Sequence, residues 1–94
     1  MSVYFIANLA IHDDELYQEY CEKMNELAPK WGLKYLAADD NPLLLEGSWP
    51  YNRLVLLEFA DQQALDDWYF STEYQELLAL REESADCDVI VVSD

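Results

Sequence analysis

The sequence predicts a small α+β domain in which helices pack on one face of a four-stranded antiparallel sheet. Three observations carry that prediction. Its apolar residues fall into six runs of strand-like or helix-like period, ordered strand, helix, strand, strand, helix, strand. The 94 residues suffice for one core, so residues 1–94 form one domain. Half of them (52%) are apolar and 14% are aromatic, so the chain is folded although twenty Asp and Glu outweigh five Lys and Arg to give a net charge of −15.

The first strand runs from Val3 to Ile11, a β-branched, aromatic and aliphatic stretch almost free of charge. The period then lengthens. Leu16, Tyr17, Tyr20, Cys21, Met24, Leu27, Ala28 and Trp31 recur three and four apart, with Glu15, Glu19, Glu22, Lys23 and Glu26 on the other side. They mark an amphipathic helix from about 13 to about 30. Asp13 is its N-cap, Asp14 and Glu15 complement its positive end, and Lys30 followed by Gly32 marks its finish. Pro29 is expected to end or bend the last turn.

Leu33 to Ala38 and Leu43 to Trp49 read as one long second strand interrupted by Asp39-Asp40-Asn41-Pro42. Pro50, Tyr51 and Asn52 supply turn chemistry before a third strand, Arg53 to Phe59, so these two strands make a hairpin. Asp61 caps a second helix with Ala64, Leu65, Trp68 and Tyr69 on its apolar side. Ser71 or Thr72 interrupts it and restarts a helical segment whose Tyr74, Leu77, Leu78 and Arg81 share one side. A polar link from Glu82 to Asp88 leads to a last strand, Val89 to Val92.

This order is the ferredoxin-like βαββαβ arrangement, which places both helices on one face of the sheet. In the first strand Val3, Phe5, Ala7, Leu9 and Ile11 point one way and Tyr4, Ile6, Asn8 and Ala10 the other. In the third, Val55, Leu57 and Phe59 oppose Leu54, Leu56 and Glu58. Both faces are largely apolar, and the helices cover only one. A second copy is expected to cover the other, making a homodimer through the sheet face, a dimeric α+β barrel. The acids load the helices and the tail, while the first and third strands carry only one of them, Glu58.

The same composition excludes several functions. A surface this negative repels nucleic acid and anionic lipid, so neither is an expected partner. No stretch approaches the roughly 18 apolar residues of a membrane-spanning helix. The N-terminal run lacks a basic leader and reads as a strand, not a signal. Cys21 and Cys87 are too few for a disulfide framework, and no Cys/His cluster has metal-ligand spacing, so a reduced, cytoplasmic setting and no metal are expected. Gly32 and Gly47 are isolated and form no phosphate loop, and His12, the single histidine, reads as a surface or capping residue. No cofactor is expected.

Particular residues carry a family likeness: Tyr4, Asp13, Tyr17 and Tyr20, then Gly32, Tyr35, Glu46-Gly47, Arg53, Glu58-Phe59, Trp68-Tyr69-x-Ser71-x-x-Tyr74 and Leu80-Arg81. In order and spacing they resemble the domain of unknown function 1330 family. The resemblance spans nearly the whole chain and implies a dimeric α+β barrel, with no activity attached. Trp31-Gly32 stands where that family often has a Gly pair, and Ala60 where it has a Pro, differences that bear on turn shape.

The candidate site residues follow from charge and position. Arg53 and Arg81 are the two arginines, and either could hold a carboxylate or enolate of a small polar or anionic ligand in a pocket between sheet and helices. Glu58 or Glu46 could act as base. Glu58 is placed opposite Phe59, toward the barrel interior, where burial would raise its pKa unless a cation paired with it. Trp68, Tyr69 and Tyr74, with Tyr35 and Trp49, could form an aromatic wall, and Asn8 could touch the ligand or the dimer interface. The chemistry compatible with such a site is cofactor-free proton transfer or oxygenation. The alternative is a non-catalytic dimeric module in which these residues form an ion-paired aromatic core.

Overall fold

Residues 1–94 are all described by the structure, a computed structural model. Seven elements follow one another: β1 (Val3–Ile11), α1 (Asp14–Trp31), β2 (Lys34–Asp39), β3 (Arg53–Phe59), α2 (Gln62–Tyr69), α3 (Thr72–Ser84) and β4 (Ala85–Ser93). The strands form one antiparallel sheet in the order β2-β3-β1-β4. The uncharged β1 is central and pairs with both β3 and β4, as expected for the segment most apolar on both sides. The helices lie on one face only. The Cα envelope of 33 × 31 × 16 Å is accordingly a two-layer slab.

Local chemistry sets the helix ends. The Asp13 carboxylate accepts from the Leu16 N–H at 3.1 Å, satisfying one of the orphan donors of the first turn. Pro29 is accommodated inside the last turn, so α1 runs on to Trp31 and stops at Gly32. There φ is +60°, and the Leu33 N–H folds back to donate to the Ala28 carbonyl. Asp61 and Ser71 cap α2 and α3 in the same way, through the N–H groups of Ala64 and Tyr74. The break at Ser71 therefore divides the second helix into two.

Three stretches differ from the sequence reading. The second strand is only Lys34–Asp39, and 43–49 forms no strand. Asp39 accepts the Asn41 N–H in a tight local turn and Pro42 lacks a donor, so the chain leaves the sheet edge, with Leu43 and Leu45 exposed. Nor is Asn52 part of a hairpin turn. Its side chain exchanges two hydrogen bonds with the Ile11 backbone, at 2.8 and 3.0 Å, and ties the start of β3 to the end of β1. The expected polar link from Glu82 to Asp88 is also absent, because α3 continues to Ser84 and β4 begins at Ala85. The acids there alternate: Ala85 and Cys87 turn toward the core, while Asp86 and Asp88 are exposed on an edge strand.

Sixteen buried apolar residues form the core between sheet and helices. In β1, Val3, Phe5, Ala7 and Leu9 are buried and the alternate residues half-buried, the expected division of faces. Trp68 is its centre, 1% exposed, with ring centroids 5.2 Å from Phe5, 5.4 Å from Phe59 and 4.2 Å from Tyr74.

Candidate functional site

Between α1 and the sheet the packing leaves a cavity of about 130 Å³. Its walls are chiefly apolar: Phe5, Ala7 and Leu9 from β1, Val55 and Leu57 from β3, Met24 from α1 and Trp68 from α2. The polar groups reaching it come from four elements. Tyr17, Tyr20, Cys21 and Asn25 belong to α1, Tyr35 to β2, Arg53 to β3 and Arg81 to α3. The helical spacing of Tyr17, Tyr20 and Met24 puts all three on the buried side of α1, while inward alternation of β3 does the same for Val55 and Leu57.

The two arginines stand at different ends of this space. Arg53 marks the mouth, since it, Tyr17 and Cys21 also line a wider surface depression of about 500 Å³. Its Nε donates to the Tyr17 hydroxyl at 3.1 Å and its Nη1 pairs with the exposed Asp40. Burial opposes the Arg53 charge, but its contacts with Asp40 and Tyr17 together outweigh that, so the guanidinium pKa is raised.

Arg81 is the inner group and is only 6% exposed. No carboxylate lies within ion-pair distance of it. Its Nη1 donates to the Tyr74 hydroxyl at 3.1 Å, and the Tyr74 and Tyr20 hydroxyls are 2.9 Å apart. Its Nε is buried without a hydrogen-bond partner, as is Nε1 of Trp68. A guanidinium cannot shed its proton in a protein, so this charge is held in an apolar setting by phenols alone. Burial pushes the Tyr20 and Tyr17 hydroxyls well above the ordinary phenol range and raises Tyr74 and Cys21 as well.

The structure thus gathers Arg53, Arg81 and Trp68 around the cavity, with Tyr74 one layer behind Tyr20. The remaining candidates lie elsewhere. Glu58 is on the other face of the sheet, opposite Phe59 as the alternation predicts, and therefore away from the cavity. Its carboxylate pairs with Lys34 at 2.9 Å, and hydrogen bonding by that ammonium lowers its pKa, the reverse of the shift a buried base would need. Asn8 shares that face and reaches the Asp88 carbonyl at a long 3.5 Å. Glu46 is exposed in the 40–52 connection. Trp49 packs against Tyr51 there and takes no part in an aromatic wall, whereas Tyr35 does.

A family model described as a domain of unknown function, DUF1330, matches residues 2–94. The chain belongs to the DUF1330 family. No curated protein matches it. Among solved structures, this DUF1330 chain is similar to a dimeric ferredoxin-like protein of unknown function from Jannaschia sp. CCS1, at 19% identity and a TM-score of 0.85 with both chains fully covered. It is similar to a dimeric ferredoxin-like protein from Thermobifida fusca YX, at 16% identity and a TM-score of 0.72, covering 100% of this chain and 92% of that one. A third likeness is to SnoaB, a cofactor-independent oxygenase from Streptomyces nogalater, at 12% identity and a TM-score of 0.70, covering 99% and 92%. At these identities the likenesses establish the fold.

Tyr17 and Tyr20 of this DUF1330 chain line the cavity, a placement that the helical period of α1 does not by itself reveal. Both were legible as part of the apolar face of α1. The available signal was a pair of phenols on a buried helix face, where each hydroxyl must find a partner.

Proposed function

We propose that the protein is a cytoplasmic homodimer that binds a small organic anion in the cavity of each protomer. The observation that carries this reading is Arg81: a buried guanidinium with no acid beside it and an unpartnered Nε, lining an apolar cavity. A charge so placed is costly until an anion reaches it. Arg53 stands at the mouth, already neutralised by Asp40, and is suited to admitting an anion and shielding it from solvent. Trp68 forms part of the apolar wall.

Chemistry at such a site is cofactor-free, as proton transfer by phenols or oxygenation of the bound anion. The fold likeness to a cofactor-independent oxygenase is in keeping with the second. The cavity groups include no carboxylate and no imidazole, which favours binding of a ready-made anion over base catalysis. Homodimerisation is supported by the bare sheet face, where Ile90 and Val92 are 53% and 43% exposed, and by the dimeric state of the Jannaschia and Thermobifida proteins.

The test is a thermal-shift screen of small carboxylates and acidic phenols with the wild type and Arg81→Met. At least one compound should raise the melting temperature of the wild type and not that of the variant. A screen in which every stabilising compound acts equally on both proteins would return Arg81 to architecture.

A further inference from the structure

We propose that Tyr20 is the ligand-binding donor of this cavity, oriented by an Arg81–Tyr74–Tyr20 chain, and that its ligand is a single-ring acid which arrives already ionised. The inference rests on the anion-binding reading of the cavity and adds to it the contacting residue and the ligand class.

The direction of the chain follows from counting protons. Arg81 has donors only, so its Nη1–H must be given to the Tyr74 oxygen. Tyr74 is wholly buried, and the only acceptor beside its hydroxyl is the Tyr20 oxygen, 2.9 Å away. Were Tyr20 to donate instead, the Tyr74 proton would be buried without an acceptor, at the cost of its full desolvation. Tyr74 therefore donates to Tyr20, and the Tyr20 proton is the one left to give. Tyr20 lines the cavity and Tyr74 does not, so that proton is available to a ligand. Each donor in the series is polarised by the one before it, starting from a full positive charge. Arg81 Nε and Trp68 Nε1, both unpartnered, are further donors on residues of the same lining.

The ligand class follows from what surrounds these donors. The ionisable groups around the cavity are Tyr17, Tyr20 and Cys21 on α1, Tyr35 on β2, Arg53 on β3 and Arg81 on α3. None is a base at neutral pH, because burial raises every one of the phenols and the thiol. A ligand must therefore bring its own negative oxygen, as a phenolate, an acidic enolate or a carboxylate. An apolar cavity of about 150 Å³ accepts a benzene ring, and this one of about 130 Å³ is of that size. The remainder of the ligand is then one flat, mostly apolar ring.

The experiment uses 4-nitrophenol, whose phenolate absorbs apart from the phenol, and benzoate as a carboxylate of the same size. Bound to the wild type, 4-nitrophenol should ionise at a lower pH than in water. Tyr20→Phe should weaken binding of both probes by about ten- to a hundredfold, the loss expected for a hydrogen bond to a charged group. Tyr74→Phe, which keeps the Tyr20 hydroxyl but cuts it off from Arg81, should reduce the shift in ionisation. Melting curves of both variants establish that they are folded, and Glu58→Gln, a change on the opposite face of the sheet, should leave the shift in place. Binding of equal strength and equal ionisation in wild type and Tyr20→Phe would overturn the role of Tyr20 while leaving the anion site intact. Failure of both probes to bind the wild type would overturn the ligand class, while the anion site itself stands or falls with the Arg81→Met screen.

Discussion

The hydroxyls of Tyr20 and Tyr74, 54 residues apart in the chain, meet at 2.9 Å inside the core. Their contact joins α1 to α3 and connects the buried charge of Arg81 to the cavity. Coupling of this kind is measurable. Tyr20→Phe and Tyr74→Phe should each destabilise the protein by about 1–3 kcal/mol, since each leaves a buried donor without its acceptor. The double variant should cost less than the sum by about 1 kcal/mol, as expected for directly interacting groups. Urea unfolding of the four proteins checks this, and strict additivity would mean that the two hydroxyls do not interact.

Arg81 should contribute little to stability in the absence of a ligand. Its bond to Tyr74 is offset by the desolvation of an uncompensated charge, so Arg81→Met should melt at the same temperature as the wild type or higher. A large fall in melting temperature would show that the guanidinium is chiefly a structural support.

Trp68 should behave in the opposite way. It is 1% exposed and its ring packs on Phe5, Phe59 and Tyr74. Trp68→Ala should cost about 3–5 kcal/mol in urea unfolding, through lost burial and the hole left behind. A cost below about 1 kcal/mol would mean that the core closes over the site.

Glu58 should matter for pH dependence and not for the cavity. Its carboxyl pKa is lowered by the hydrogen bond and charge of Lys34, so the pair's stabilisation is present above the ordinary value of 4.5 and is lost as pH falls through the lowered one. The Lys34 pKa is raised by the same contact, so the alkaline limit lies above its ordinary 10.5. A plot of melting temperature against pH for Glu58→Gln should therefore run below the wild type at neutral pH and converge with it in acid. Binding of 4-nitrophenol should be unchanged in this variant, and a loss of affinity would place Glu58 at the site after all.

Assembly and charge give a further pair of outcomes. Ile90, half-exposed on the bare sheet face, is a place where a charge harms a dimer more than a single chain. Ile90→Asp should scatter light as a particle of 11.0 kDa, and the wild type as one of about twice that mass. Neutral salt should raise the melting temperature of both, because a net charge of −15 repels itself and salt screens that repulsion.

Periodicity and cap chemistry alone determined the element order, the caps at Asp13 and Asp61, a helix break at Ser71 or Thr72, and the faces of β1 and β3. Each of these depends on neighbours within a few residues, where a side-chain pattern of two or of three to four is a direct record of the backbone. The alternation even separated Glu58 from Phe59, and so from the helix-covered side. Only the tertiary structure decided that Leu43 to Trp49 leaves the sheet, that α3 passes into β4 without a link, and that Arg81 has no acid beside it. It also decided that Tyr20, read as plain helix core, faces a cavity. The last two outcomes turn on which of twenty acids and seven tyrosines the packing of the helices on the sheet brings within about 3 Å of one another. A linear pattern holds the direction of each side chain but not the distance between two of them, and the chemistry of this site is a matter of distance.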